Sequence, residues 1–359
     1  MRRIRYKIIF LSYNMEAIEL YDNFLKEKSY QELSKELNVS VGTLKRWNKN
    51  RRVPQAYIFY LMKLNGIEID YSLFSFKEKD QFFTPDRTAL YCYTKFKEIL
   101  ELYNENENLY NYIEPSAGSG NFLKILPSGT MAFDIDPKNK KIKKQDFLEW
   151  FPSSAHKYIV FGNPPFGLRG ELALKFINHS YNFADYVCFI LPQLFKSDGK
   201  GSPRKRVKGF NLIHSEEIDN LFSYPDGKEI KVNCIFQIWS RMIKNEKYEI
   251  KKNRNEDIKI YSLSNGGTPS STRNKEMLNK CDIYIPSTCY GKDNMKYYES
   301  FEELPNRRGY GIIFKKLRDE NIKNFKKIEW EKVAYLSTNS AYNLRSSQIE
   351  RALINPIVY

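Results

Sequence analysis

No Cys-x-x-Cys pair occurs among the five cysteines (Cys92, Cys188, Cys234, Cys281 and Cys289), and the three histidines (His156, His179 and His214) show no metal-binding spacing. No metal site is therefore expected. An odd cysteine count without a secretory signal favours a reduced, cytoplasmic chain, with Cys188 and Cys234 as small core residues of the runs YVCFIL and VNCIFQIW. No apolar run of about 18 residues occurs, so no membrane span or membrane partner is expected. The start, MRRIRYKIIFLSYNMEAIEL, is basic, but its apolar stretch is broken and no small-residue cleavage site follows, which excludes a signal peptide. Internal repeats and long low-complexity tracts are also missing. With 42% hydrophobic and 28% charged residues, the chain reads as folded, and 359 residues suffice for two or three domains.

Positive charge is abundant. Lys plus Arg number 58 against 43 Asp plus Glu, a net +15, which is the balance of a protein that neutralises phosphates. The 26 Tyr and 24 Phe include rings able to stack on bases, although most must be core.

Residues 1–75 read as helical. In SYQELSKELNVSVGTLKRWNKNRRVP, Ser29 caps a helix bearing Leu33 and Leu37, with Glu32 at capping-box spacing. Asn38 and Val39 turn the chain, and Ser40 caps a second helix carrying Val41, Leu44 and Trp47. This pattern resembles a phage-regulator helix-turn-helix, with Thr43, Lys45, Arg46, Asn48 and Lys49 offered to a major groove and Arg51 and Arg52 near phosphates. Residues 1–60 carry 12 Lys/Arg and 6 Asp/Glu. The competing reading is a helical hairpin docked on the main domain by its leucines.

From 76 to 245, apolar strands (LYNYI, TMAFDI, KYIVF, YVCFIL, VNCIFQIW) alternate with helices expected after Gly118, at 169–181 and around Leu194. That alternation predicts an α/β, doubly wound sheet with helices on both faces. Residues 246–359 read as a mixed segment of short strands and loops.

Glu114-Pro115-Ser116-Ala117-Gly118-Ser119-Gly120 follows the first strand and is expected to open a helix, where backbone N–H groups face a ligand. Asp134 ends the second strand 20 residues after Glu114, at the place of a ribose-binding carboxylate. The spacing is not the dinucleotide fingerprint; E-P-x-A-x-x-G before an acidic strand end resembles the S-adenosylmethionine-dependent methyltransferases. By that resemblance, the segment from Glu114 to Gly120 holds the methionine part and Asp134, followed by Ile135, holds the ribose. Asp146 bonds the adenine amino group, and Phe147 packs on the ring.

Asn163-Pro164-Pro165-Phe166, leaving the fourth strand, resembles the D/N/S-P-P-Y/F signature of amino methyltransferases. An exocyclic amine is a poor nucleophile because its lone pair is delocalised. Two acceptors on its hydrogens, the Asn163 side-chain oxygen and the Pro164 carbonyl, would free that pair, and prolines hold them in place beforehand. Phe166 is expected to stack on a base flipped out of the duplex. Pro165 and Asn163 also border the cofactor.

Phe83-Thr84-Pro85 resembles the F-T-P element of gamma-class adenine-N6 DNA methyltransferases, which completes the methionine pocket. The resemblance covers about residues 80–240 and implies a Rossmann-like methyltransferase sheet ending in an antiparallel hairpin, S-adenosylmethionine as cofactor, and double-stranded DNA as partner. The enzyme would act either solitarily or beside a cognate restriction endonuclease, with a target-recognition region at 246–359. Tyr224, with Phe222 as rival, sits where the family has a second aromatic on the flipped base. Arg204, Lys205, Arg206 and Lys208 are candidate phosphate ligands or a solvated loop. Transfer to cytosine N4, to a protein glutamine or to ribosomal RNA, and a non-catalytic DNA-binding regulator, are the alternatives.

Overall fold

The computed structural model describes residues 16–37, 39–75, 82–199, 202–219, 221–249, 256–268, 271–336 and 341–354. Among them no helix is long and apolar enough to cross a membrane.

The N-terminal region consists of α1 (Ala17–Glu27), α2 (Tyr30–Leu37), α3 (Val41–Lys49) and α4 (Ile58–Leu64). Local chemistry sets the helix starts. Ser29 and Glu32 exchange hydrogen bonds as a capping box, and the Ser40 hydroxyl accepts from the Thr43 N–H at 3.1 Å. The apolar faces close on one another through Leu20, Tyr21, Leu33, Leu44, Trp47 and Leu61, and Tyr21 donates to the Leu44 carbonyl at 2.7 Å. Each large side chain so buried is worth about 1.5–3 kcal/mol. Leu168, which follows the Asn-Pro-Pro-Phe segment, packs into this same core.

After α5 (Asp86–Leu102) come β1 (Asn111–Glu114), β2 (Met131–Asp134), β3 (Lys143–Lys144), β4 (Tyr158–Gly162), α6 (Glu171–Ser180) and β5 (Tyr186–Pro192). They are followed by β6 (Asn211–Glu217), β7 (Leu221–Ser223), β8 (Glu229–Lys231) and β9 (Cys234–Ser240). The main sheet runs β3-β2-β1-β4-β5-β9-β6, with β1 to β5 mutually parallel and β9 antiparallel to both neighbours. Strand β5 shows why both faces are covered. Cys188 and Ile190 point to the core under α5, while Val187, Phe189 and Leu191 point to the core under α6. Cys92, Cys188 and Cys234 are buried together in the first of these cores.

The five expected strands are all present, but the helices differ. The segment after Gly118 forms only a 3₁₀ turn, Phe122–Lys124, because Gly118 and Gly120 take positive φ (54° and 87°) and Pro127 follows too soon for a helix to propagate. The expected helix around Leu194 is likewise a 3₁₀ turn, Gln193–Lys196. The helix expected over 169–181 starts at Glu171, since Arg169 and Gly170 are left-handed (φ 56° and 73°).

The C-terminal region has its own core. Strands β10 (Ile258–Ser264), β11 (Ile283–Pro286) and β13 (Arg308–Phe314) form an antiparallel sheet in the order β10-β13-β11. A second small sheet joins β12 (Thr288–Tyr290), β15 (Ala341–Asn343) and β14 (Tyr335–Leu336). Helices α7 (Arg318–Lys327), α8 (Trp330–Val333) and α9 (Ser346–Ile354) complete it. One of its anchors is Asp198, in the loop after β5 and only 7% exposed, which accepts from Ser347 and pairs with Arg351 at 2.5 Å; Tyr335 donates to the nearby Lys196 carbonyl at 3.1 Å.

Candidate active site

The order of the sheet reverses between β1 and β4, and a ligand cleft is expected outside the carboxyl ends of strands at such a point. An open cleft lies there, with about 880 Å³ of empty space that includes solvent at its mouth. Its walls come from Pro115, Ser116 and Gly118 after β1, Asp134, Ile135 and Asp136 at the end of β2, and Asp146, Phe147 and Leu148 after β3. Asn163, Pro164 and Pro165 after β4, Phe82 and Phe83, and Leu172 and Phe176 of α6 contribute as well. Lys63 and Tyr71 of the N-terminal region close one side.

The glycine turn is held from two directions. Asp134 accepts the Gly118 N–H on Oδ2 and the Asp136 N–H on Oδ1, both at 2.7 Å. Each oxygen keeps a second lone pair for a ligand hydroxyl. Burial raises the Asp134 pKa, and those two N–H groups oppose the rise. Gly118 has no room for a side chain, since a Cβ would lie 2.9 Å from the Phe83 ring. The glycine turn, held by Asp134, thus meets the F-T-P segment directly.

Thr84 is the hub of that meeting. It is 4% exposed, its carbonyl accepts from Asn121 Nδ2 at 2.9 Å, and its hydroxyl accepts from Asn163 Nδ2 at 3.2 Å. The Ser116 hydroxyl donates to the Asn163 carbonyl at 3.0 Å. With Nδ2 so engaged, the Asn163 Oδ1 atom is buried and has no hydrogen-bond partner. An unpaired buried acceptor beside a cleft costs about 1–3 kcal/mol and is satisfied by a donor brought from outside.

Glu114 is the second such group. It does not line the cleft but lies beside Pro115, which does; it is 2% exposed and its Oε2 has no partner. Burial, with the Asp134 charge adding to it, pushes the Glu114 carboxyl well above the usual range. Asp146 lies at the other end, where its Oδ1 accepts the Leu148 N–H at 3.0 Å and its Oδ2 accepts from Lys63 Nζ at 2.6 Å. Burial works against the Lys63 ammonium, but the bond to Asp146 and its charge hold the pKa above the ordinary lysine value.

Among the residues expected to meet cofactor, Phe83, Pro115, Ser116, Gly118, Asp134, Ile135, Asp146, Phe147, Asn163 and Pro165 line the cleft. Thr84, Pro85, Glu114, Ala117 and Gly120 stand behind it: Pro85 caps α5, and the Ala117 N–H donates to the Phe133 carbonyl at 2.8 Å.

Three expectations need correction. Phe166 is 1% exposed and packs edge-on against Phe82 at 5.3 Å, so it is core; Phe82 is the ring that reaches the cleft. The Phe166 carbonyl instead accepts from Leu172 and Ala173 in the first turn of α6. Arg204 is committed to the carbonyls of Lys196 and Tyr248, and Arg206 to both oxygens of Glu171, which leaves Lys205 and Lys208 as the exposed cations of that loop. In each guanidinium both Nη atoms are tied to protein acceptors, which fixes its orientation and offsets its charge within the fold. Finally, the N–H groups at the glycine turn belong to no α-helix.

Tyr224 is half-buried at the tip of the β7–β8 hairpin, outside the cleft; Ser223 pairs with Phe83, so the hairpin is tied to the cleft wall. Lys45, Arg46, Asn48 and Lys49 are exposed on α3, and Thr43 is half-buried. Cleft residues that sequence reasoning missed include Lys63, Tyr71, Phe82 and Asp136. Asp136 was within reach, two positions beyond Asp134 at the same strand end. Lys63 carried no local signal at all.

A sheet of five parallel strands ending in an antiparallel strand pair, with this cleft at its switch point, is a Rossmann-like methyltransferase fold. No protein-family model and no curated protein matches the chain. Solved structures with some likeness include PH1948 of Pyrococcus horikoshii, assigned as an RNA methyltransferase: 16% identity, 46% of this chain and 88% of that one, TM-score 0.34. Thermoplasma acidophilum 1320 shares 18% identity over 42% of this chain and 86% of that one, TM-score 0.27. A structure concerned with complex assembly and conformational transition of the type I R-M system shares 12% identity over 65% of this chain and 62% of that one, TM-score 0.31. Likenesses at this level add nothing to what the strand order says.

Proposed function

We infer that this chain transfers a methyl group from S-adenosylmethionine to the N6 amino group of adenine in double-stranded DNA. The observation that carries the reading is the buried, unpartnered Oδ1 of Asn163, aimed by a side chain whose other end is tied to Thr84. It is a neutral acceptor on a proline-stiffened corner, suited to an N–H of an exocyclic amine.

The residues around the cleft fit the cofactor. They are rich in carboxyl groups (Asp134, Asp136, Asp146 and, behind them, Glu114), so a matching ligand brings donors and positive charge. S-adenosylmethionine has a sulfonium, an ammonium, two ribose hydroxyls and a 6-amino group, and when bound it supplies an activated methyl group. Asp134 would hold the ribose, Asp146 the adenine, and the Pro115–Gly118 turn the methionine end. Asn163 Oδ1 and the Pro164 carbonyl accept the amine hydrogens, which localises the nitrogen lone pair. Phe82 offers the base a ring. Positioning rather than a strong base drives such a transfer.

The exposed cations of α3 support duplex DNA as the substrate, with base flipping to bring adenine to Asn163. A cognate restriction endonuclease is the natural partner of a modification enzyme, although a solitary methylase works by the same chemistry. Incubation with labelled cofactor and duplex DNA, followed by nucleoside analysis, is expected to yield N6-methyladenine. N4-methylcytosine, or label only in RNA or protein, would refute the adenine assignment.

Arg46→Ala is expected to weaken DNA binding several-fold and to reduce the slope of log affinity against log salt by about 1. An unchanged slope in fluorescence-anisotropy titrations would leave α2–α3 as a docking element only.

A further inference from the structure

An ammonium has three N–H donors, and among the described residues Asp146 takes only one of those on Lys63, through Oδ2 at 2.6 Å. Lys63 lies on α4 and lines the cleft, its side chain 49% exposed against 19% for Asp146. The carboxylate also has capacity left. Its Oδ1 accepts the Leu148 N–H at 3.0 Å and its Oδ2 accepts Lys63, so each oxygen keeps a second lone pair. The pair therefore offers an acceptor and a charged donor side by side.

The carrier of the lysine is fixed in place. On α4, Ile58, Leu61 and Met62 are buried in the N-terminal core, and Leu168, just beyond the Asn-Pro-Pro-Phe corner, packs into that same core. Tyr71 lines the cleft as well, and its ring centre lies 5.5 Å from that of Phe59 on α4. The N-terminal helices thus form one wall of the cleft. Adenine is a base whose edges match such a pair. Its 6-amino group is a donor, and the ring nitrogen beside that group on either edge, N1 or N7, is an acceptor. The methyltransferase reading gives Asp146 to the 6-amino group of the cofactor's adenine, and the inference rests on that reading.

We propose that Lys63 is a cofactor ligand contributed by the N-terminal helical module, donating to the adenine ring nitrogen beside the 6-amino group while Asp146 accepts from the amino group itself. No movement of the module is needed, because both groups have a free hydrogen-bonding position with their mutual bond intact. The adenine end of the pocket is then completed by two side chains 83 positions apart.

Isothermal titration of the full chain with S-adenosylmethionine, adenosine, 1-deazaadenosine and 7-deazaadenosine tests this, since each deaza analogue keeps the amino group and lacks one of the two neighbouring nitrogens. Lys63→Met keeps the length of the side chain without its donors and is expected to bind S-adenosylmethionine and adenosine about 5- to 30-fold more weakly than the wild type. With the analogue that lacks the engaged nitrogen, wild type and variant should bind alike, which also shows that the variant is folded. An unchanged affinity of Lys63→Met for adenosine, or the same loss for adenosine and both analogues, overturns the assignment; the second result would leave Lys63 acting through Asp146 alone. If neither protein binds S-adenosylmethionine at millimolar concentration, the cofactor reading itself falls, whereas a wild type that binds without a nitrogen-dependent loss in the variant rejects only the role of Lys63.

Discussion

Asn163→Ala is expected to lower methyl transfer about 100- to 1,000-fold, the scale seen when one pre-aimed hydrogen-bonding group is removed from a catalytic site. S-adenosylmethionine should still bind within about threefold, because the substitution leaves Asp134, Asp146 and the glycine turn intact. The physical reason is the division of labour inside one amide. Nδ2 is spent on the Thr84 hydroxyl and Oδ1 is left over, buried and unpaired. Truncation removes the acceptor and relieves a buried unsatisfied group but also deletes the Nδ2 bond to the Thr84 hydroxyl, and as the two offset, stability should change by no more than about 1 kcal/mol. Single-turnover kinetics beside equilibrium cofactor binding separates the two effects. Transfer within a few-fold of wild type would show that the corner is only a rigid turn.

Glu114→Gln is expected to move stability and cofactor affinity in opposite directions. The Glu114 carboxyl is buried with an unpartnered oxygen, and burial together with Asp134 raises its pKa well above the ordinary value. A folded pKa above the unfolded one, near 4.3 for glutamate, means that the group's contribution is fully present below about pH 4.3 and is lost as pH rises through the raised folded value. Above about pH 4.3 the ligand-free protein carries a carboxyl kept neutral against the solution and, past the raised folded value, an uncompensated buried charge. A glutamine carries neither cost. The variant should therefore gain about 1–3 kcal/mol in urea unfolding at pH 8, with the gain shrinking toward pH 4. It should also bind the cationic cofactor roughly tenfold more weakly, since a carboxyl able to ionise beside the arriving cation has gone. Wild-type binding should release a proton, visible as a buffer-dependent heat, and Glu114→Gln should not. A variant less stable than wild type at pH 8 would show that Glu114 is satisfied by a partner inside the fold.

How much of this was legible beforehand differs from element to element. Strands β1, β2, β4, β5 and β9 were readable because a strand buried on both faces is mostly apolar, and each was, with Asn111, Asp134 and Gln237 among the polar interruptions. Helices α2 and α3 were readable because their caps are local: Ser29, Glu32 and Ser40 bond within three residues of themselves. The missing helix after Gly118 was not anticipated, although Pro127 was in view. Phe166 misled because an aromatic after two prolines has the same spelling whether it faces a cleft or a core. Phe82, from a distant segment, packs against it, and Phe222 packs against Phe82 in turn. Arg204 and Arg206 misled for a related reason. A basic run looks free until the acceptors that claim it, Tyr248 and Glu171, are folded alongside.

Contiguous residues were enough to set the stiffness of the Asn-Pro-Pro corner, the turn at Gly118 and Gly120, and the acidic ends of β2 and β3, because dihedral limits and strand periodicity act over a few bonds. Which atom of Asn163 is left without a partner was settled by Thr84, 79 positions away, and what confronts Asp146 was settled by Lys63, 83 positions away. Hydrogen bonds and ion pairs of that kind have no period and leave no pattern in the chain; they exist only once packing has brought their partners within 3 Å or so of each other.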